Sequence, residues 1–162
     1  MEKTIAAVAT GNAAGGIGVI RISGEKAIEI ADKVFSAADG SSLSELKGYR
    51  AKFGSVAAGG KTLDNAVALV FRAPKSYTGE DVCELSVHGG VFIVEKTLEA
   101  VFAAGAAPAG AGEFTKRAFL NGKMDLTQAE SVADLISAEG EAAAQASFHA
   151  LQGSLSNKIN SI

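Results

Sequence analysis

Arg21 is the first residue whose surroundings demand chemistry. It lies in the apolar run of residues 16–23, and strand alternation puts it on the face shared by Ile17 and Val19. A guanidinium on such a face must meet an anion or reach solvent, because burying it unpaired is costly. A surface carboxylate and a ligand anion would both serve. Glu84 is the complementary case. In residues 82–88, Cys83, Leu85 and Val87 alternate with Glu84, Ser86 and His88, so one face reads as core and the other as polar. A solvated face accounts for this pattern. If the strand is central and covered on both sides, however, Glu84 becomes a candidate ligand group.

His88 precedes Gly89-Gly90 at an expected helix start, where an imidazole can act as acid or base, or simply pack and hydrogen bond. His149 reads as solvent-facing, and neither histidine has metal-ligand spacing, so no metal site is expected. Cys83, on the inward face, reads as a small buried hydrophobe and not a nucleophile. Residues 77–81, Tyr-Thr-Gly-Glu-Asp, read as a turn whose aromatic could stack on a flat ring. Lys116 and Arg117 read as exposed helix charges, and Asp125 as a helix cap.

The glycine-rich residues 11–18 invite a nucleotide-binding reading and fail it. A phosphate loop needs Gly-Lys-Ser or Gly-Lys-Thr and then a helix, whereas Gly16 leads to Ile17 and a strand. The segment reads as a loop joining two strands.

These residues must be positioned by one modest core. The 162 residues are 48% hydrophobic with two prolines, enough for a single core and a helical appendage. A net charge of −3 gives no concentrated basic surface for sequence-independent nucleic-acid binding. The single cysteine excludes an intramolecular disulfide and fits a reducing compartment, so the cytoplasm is expected. No secretory signal or membrane span is expected.

Strands are expected at residues 4–9 and 16–23, the second apolar on both faces and therefore buried. A helix follows Gly24, with Ile28, Ala31, Val34 and Phe35 at helical spacing. Residues 50–58 and 61–72 read as antiparallel strands joined by the tight turn Gly59-Gly60. A strand at 82–88 leads to a helix at 91–104 capped by Gly105. One hairpin and one βαβ-like step indicate an α+β fold with a mixed β-sheet and packed helices, not a doubly wound sheet.

Residues 112–130 read as a junction: Gly112 caps a helix through Leu120, Asn121-Gly122 ends it, and Thr127 with Glu130 forms a capping box for the next. From Thr127 the chain reads helical almost to its end, roughly 50 Å if unbroken. Gly140 is the expected interruption and Gly153 the fraying end. The apolar stripe through Val132 and Ile136 needs a second surface to dock on.

Four segments in order, residues 4–10, 16–24, 72–90 and 112–130, resemble the tRNA modification GTPase family known as MnmE or TrmE. The second carries Arg-Ile-Ser-Gly, the third Tyr-Thr-Gly-Glu-Asp with Glu84 and His-Gly-Gly, and the fourth Gly-Glu-Phe-Thr-Lys-Arg-Ala-Phe-Leu-Asn-Gly-Lys. The family carries prolines after the matching Thr10, where this chain has Gly11-Asn12. Family proteins are much longer, so the chain reads as an N-terminal fragment. It has neither a phosphate loop nor the family's C-terminal Cys-x-Gly-Lys motif.

The resemblance implies a folate-binding fold similar to the glycine cleavage T-protein, with residues 1–119 as a folate-binding and homodimerising domain and 120–162 as the first part of a helical domain. It implies that Arg21, Glu84 and Lys123 contact a reduced folate, 5-formyl- or 5,10-methylene-tetrahydrofolate. The Glu84 oxygens would face the paired N–H donors of the pterin ring, and Lys123 the folate's glutamate tail or a ring oxygen. The parent would hydrolyse GTP with Mg2+ and K+ in an absent domain. With the MnmG flavoprotein it would modify C5 of the wobble uridine of tRNA, the folate supplying one carbon; neither DNA nor membrane is an expected partner. A free-standing folate-dependent aminomethyltransferase and a purely structural dimerisation unit are the alternatives.

Overall fold

The structure, a computed structural model, describes residues 1–153 together with Asn157, Ile159 and Ser161. Its contacts divide the chain into two units, residues 1–76 with 80–111, and residues 77–79 with 112–162.

The first unit runs β1 (Ile5–Val8), β2 (Ile17–Ser23), α1 (Ala27–Val34), β3 (Phe35–Ala37), a 3-10 turn at Leu43–Glu45, β4 (Arg50–Ala58), β5 (Lys61–Phe71), β6 (Val82–His88), α2 (Val91–Ala103) and β7 (Ala107–Pro108). The strands form one seven-stranded sheet in the order β3-β4-β5-β6-β2-β1-β7. Every pairing is antiparallel except β1 with β7, so the sheet is mixed and the class is α+β as the sequence indicates. Two βαβ crossovers result where the sequence indicates one: β2 through α1 to β3, with β6, β5 and β4 lying between, and β6 through α2 to β7, with β2 and β1 lying between. Gly59 and Gly60 turn the β4–β5 hairpin with φ of 56° and 77°, which L-residues with side chains rarely adopt. The edge strands β3 and β7 are three and two residues long, which limits edge-to-edge pairing.

Both helices of this unit pack on one face of the sheet. Ile20 and Ile22 of β2, Leu85 and Val87 of β6, Ala68 and Val70 of β5 and Val56 of β4 join Ile30, Ala31, Val94 and Val101 in a single buried cluster. Burying each large aliphatic side chain contributes about 1.5–3 kcal/mol, so this face holds the unit together. The expectation that β2 is buried on both faces does not hold, since Ile17 is 66% exposed. Its apolar residues on the second face have no helix of this unit to meet. Phe35, read as helical, is the extended residue ending α1 and opens β3 opposite Val56. Its ring still reaches the core, 4% exposed, because strand and helix ends deliver it to the same layer.

The second unit contains α3 (Glu113–Leu120), α4 (Leu126–Ser137) and α5 (Glu141–Leu151). The long tail helix is broken where expected, at Gly140, whose extended φ of −158° starts α5. Gln128 Nε2 donates to the Leu151 carbonyl at 2.8 Å, tying the start of α4 to the end of α5, so the two helices fold back on each other. Gly153 follows α5 with φ of 80°. The expectation of helix at residues 154–156, 158, 160 and 162 lies outside the described residues. The capping box of α4 is made by Asp125 and Gln128, two residues ahead of the expected Thr127–Glu130 pair, because Asp125 is the last extended residue before the helix. Asp125 is thus the cap that its residue type indicates.

Candidate functional site

The helix-free sheet face of the first unit carries three cross-strand rows. In the first, Ala7, Arg21, Glu84 and Leu69 are successive register partners on β1, β2, β6 and β5. In the second, Val19, Ser86, Val67 and Phe53 follow one another across β2, β6, β5 and β4. Ile17 and His88 pair in the third. Alternation places every one of these side chains opposite the core, because each neighbours a buried residue in its strand.

Arg21 and Glu84 are brought together. Arg21 Nε donates to Glu84 Oε1 at 3.0 Å and Nη2 lies 2.9 Å from the same oxygen, the side chains being 26% and 22% exposed. The anion that Arg21 requires is therefore the other candidate residue, and Glu84 Oε2 makes no described hydrogen bond.

Beside the pair a groove of about 260 Å³ is lined by Ile17, Phe53, Asn65, Val67, Ser86 and His88. Its walls are apolar and bare, with Phe53 60% and Val67 42% exposed. A larger hollow of about 440 Å³ lies on the helix side among Lys33, Ala57, Lys96 and Glu99, on the face opposite Arg21 and Glu84.

His88 closes the groove with an exposed ring held from β5. Its Nδ1 lies 2.8 and 2.9 Å from the two oxygens of Asp64, and its amide donates to Asp64 Oδ2 at 2.8 Å. Burial opposes ionisation of Asp64, yet the hydrogen bonds from the His88 amide and ring outweigh it and hold the carboxyl below its ordinary value. Facing an ionised carboxylate, Nδ1 carries the imidazole proton and Nε2 is left as the acceptor, an assignment made from the hydrogen-bond network.

The β1–β2 loop reads as expected, a connection between strands. The Gly15 amide donates to the Gly89 carbonyl at 3.1 Å, and a Cβ on Gly89 would stand 2.4 Å from the Gly15 oxygen. Only glycine allows that approach, so the loop is latched to the turn just after His88. Cys83 is fully buried, and burial pushes its thiol well above the ordinary range with the charges of Asp32 and Glu84 adding to it, so it is no nucleophile.

Lys123 belongs to the second unit, exposed on the turn after α3, with its amide donating to the Ala118 carbonyl at 2.8 Å. In the same unit Gly79 lies against it, an added Cβ there falling 3.3 Å from Lys123 Cγ. Asn121 Nδ2 donates to the Thr78 carbonyl at 2.8 Å, and the Tyr77 and Thr115 hydroxyls meet at 2.8 Å, so residues 77–79 form a hook clasped by the helical unit. Tyr77 is thus engaged at its hydroxyl.

Sequence reading missed Asp64, which looks like an ordinary polar hairpin residue until the β5–β6 register sets it beside His88. It also misplaced Arg117, which is 3% exposed, with Nη2 3.6 Å from Glu113 Oε1 one helical turn away. The i,i+4 spacing of Glu113 and Arg117 was the available signal. Lys116 is exposed as expected. Among the described residues no group of His, Cys, Asp and Glu is arranged to hold a metal ion, and no helix is long and apolar enough to cross a membrane.

Together these features define an α+β domain with a one-sided core and a charged pair set in the sheet face that none of its own helices covers. Comparison with known proteins gives the family. The family described as GTP-binding protein TrmE N-terminus matches residues 4–123, and the chain belongs to it. It is 47% identical to the tRNA modification GTPase MnmE of Carboxydothermus hydrogenoformans over 100% of this chain and 36% of that protein. The protein of the same name from Thermus thermophilus is 48% identical over 100% and 37%, and that from Clostridioides difficile 43% over 100% and 35%. The chain therefore spans little more than a third of the length of these relatives.

Proposed function

We propose that this chain is the N-terminal module of a tRNA-modifying GTPase, binding a reduced folate and pairing with a second copy of itself. The observation that carries the reading is the Arg21–Glu84 pair on the sheet face that carries no helix of the first unit, one cross-strand row from Ser86 and Val67, which line a groove of about 260 Å³. Glu84 Oε2 would accept from the N–H edge of the pterin, Arg21 would hold the carboxylate in place, and the bare Ile17, Phe53 and Val67 would cover the rings. Lys123 stands as a third proposed folate contact, for the acidic tail or a ring oxygen. Bound there, 5-formyl- or 5,10-methylene-tetrahydrofolate supplies a carbon unit. The protein's own part is to bind it, orient it and keep water from its apolar faces.

Relatives of matching sequence bear the name tRNA modification GTPase, which supports placing the folate site in the service of C5 modification of wobble uridine in cytoplasmic tRNA with the MnmG flavoprotein. GTP hydrolysis with its Mg2+ and K+ would reside in the part of the parent beyond this chain. Calorimetric titration with 5-formyltetrahydrofolate tests the reading. Saturable one-to-one binding that is lost in Glu84→Ala supports it, and equal binding by Glu84→Ala and the unmodified protein ends it. Sedimentation equilibrium tests self-association separately.

A further inference from the structure

Asp64 and His88 form a dyad that the folate contacts leave unused. The carboxylate reaches Nδ1 with both oxygens at 2.8 and 2.9 Å and also accepts the His88 amide at 2.8 Å, so ring and backbone are both held while the His88 side chain is 76% exposed. Asp64 itself is only 14% exposed at its side chain. A shielded carboxylate fixing one imidazole nitrogen so that the other is offered as acceptor is the arrangement of a general base. No other charged side chain among the described residues contacts the ring: β2 presents Ile17 opposite it, and the start of α2 presents Gly89, Gly90 and Val91. A purely structural Asp–His contact would gain nothing from holding the histidine in the open.

Position gives the dyad its task. His88 and Glu84 share one face of β6, four residues and about 13 Å apart, with Ser86 and the groove between them. A ligand anchored at Glu84 and lying along the groove would bring its far end beneath the imidazole.

We propose that His88 is the proton acceptor of this site, oriented by Asp64, and that it takes a proton from the ammonium, free or of an amino acid, that aminomethyl chemistry brings to the bound carbon unit; this rests on the folate reading above. One N–H bond of the ammonium breaks, its electron pair stays on the amine nitrogen as the nucleophilic lone pair, and the proton passes to Nε2. Asp64 balances the imidazolium until solvent removes the proton. Ammonia and amino acids cannot attack carbon while protonated, so a folate site serving aminomethyl chemistry needs such a group.

The test has two arms. Imidazole ¹⁵N spectra of the chain carrying His149→Gln, which leaves His88 as the one histidine, are expected to show the Nδ1–H tautomer, and Asp64→Asn to convert it to Nε2–H. An Nε2–H tautomer before substitution overturns the dyad. In the full-length protein with its flavoprotein partner, His88→Ala is assayed at saturating folate, so that loss of binding is separated from loss of rate. Its modification rate is expected to fall about 100-fold or more, and added imidazole to restore at least about tenfold. A smaller loss, or a loss that imidazole does not relieve, overturns the role in proton transfer. If the unmodified protein binds no folate, the underlying reading fails while the tautomer result stands by itself.

Discussion

Arg21 and Glu84 face each other directly across β2 and β6, and the guanidinium directs both Nε and Nη2 at a single oxygen, Oε1. The pair is therefore self-sufficient without ligand, and half of the carboxylate stays ready for another donor. Removing Arg21 takes the cation from Glu84, and removing Glu84 takes a carboxylate from Arg21, in a site about three-quarters shielded from solvent, where loss of a partner costs more than at the surface. Arg21→Ala and Glu84→Ala are each expected to destabilise by about 1–2 kcal/mol, and the double variant by less than their sum, with a coupling of about 1 kcal/mol. Urea unfolding of the four proteins measures it; strictly additive losses would show that the contact contributes nothing.

Asp32 gives a pH dependence of known sign. Burial opposes its charge, but Ser42 Oγ at 2.6 Å, the Leu43 amide at 2.7 Å and the Ser44 amide at 3.1 Å hold the carboxyl below its ordinary value of 3.8. The folded state therefore binds this proton less readily than the unfolded chain. The stabilisation is complete above the ordinary value and is lost as pH falls through the lowered one. Asp32→Asn is expected to melt lower than the parent near neutrality, and the gap to close as pH falls below 3.8 and through the lowered value. Melting curves across that range decide it, and a gap that widens in acid reverses the sign.

Much of this was legible because long strands announce themselves. Residues 50–58 and 82–88 alternate cleanly enough to give β4 and β6 their observed bounds. The same alternation put Glu84 on the polar face of its strand and Arg21 on the face of Ile17 and Val19, though only pairing register could reveal that they meet. Phe-Ser-Ala and Ala-Pro carry no period, so β3 and β7 exist only through the neighbours they pair with. Ile17 and Val19 made β2 look covered on both sides, since apolar residues on an uncovered face read the same as core. Asp64 stayed invisible for a related reason: its partner lies 24 residues away and is set by the β5–β6 register.

Helix α4 separates two caps that the sequence offers. Asp125 accepts the Gln128 amide at 2.9 Å, and Gln128 Oε1 accepts the Asp125 amide at 2.9 Å. Thr127 lies inside the helix, its carbonyl taken by Ser131 Oγ at 2.7 Å. Asp125→Ala is expected to cost about 1 kcal/mol, whereas Thr127→Ala is expected to change stability by about 0.5 kcal/mol or less, alanine being the better helix former. Differential scanning calorimetry of the two variants distinguishes them; a larger loss in Thr127→Ala would restore it as the cap.

Gly79 and Lys123 provide the sharpest separation of placement from charge. Gly79 has φ of 80°, and a Cβ there would lie 3.1 Å from Asn121 Cβ and 3.3 Å from Lys123 Cγ. The left-handed backbone alone costs an L-residue about 1–2 kcal/mol, and the crowding falls on Asn121, which also holds the Thr78 carbonyl. Gly79→Ala is therefore expected to lose about 1–2 kcal/mol or more and to push the Lys123 stem aside. Lys123→Ala removes the ammonium but leaves the turn intact, so its stability cost is about 0.5 kcal/mol or less. If Lys123 meets the folate as proposed, both variants weaken 5-formyltetrahydrofolate binding, roughly tenfold for a lost charged contact. Only Gly79→Ala also lowers the melting temperature. Calorimetric titration beside thermal melts reads both quantities, and a Lys123→Ala protein that binds as tightly as its parent would remove the lysine from the site.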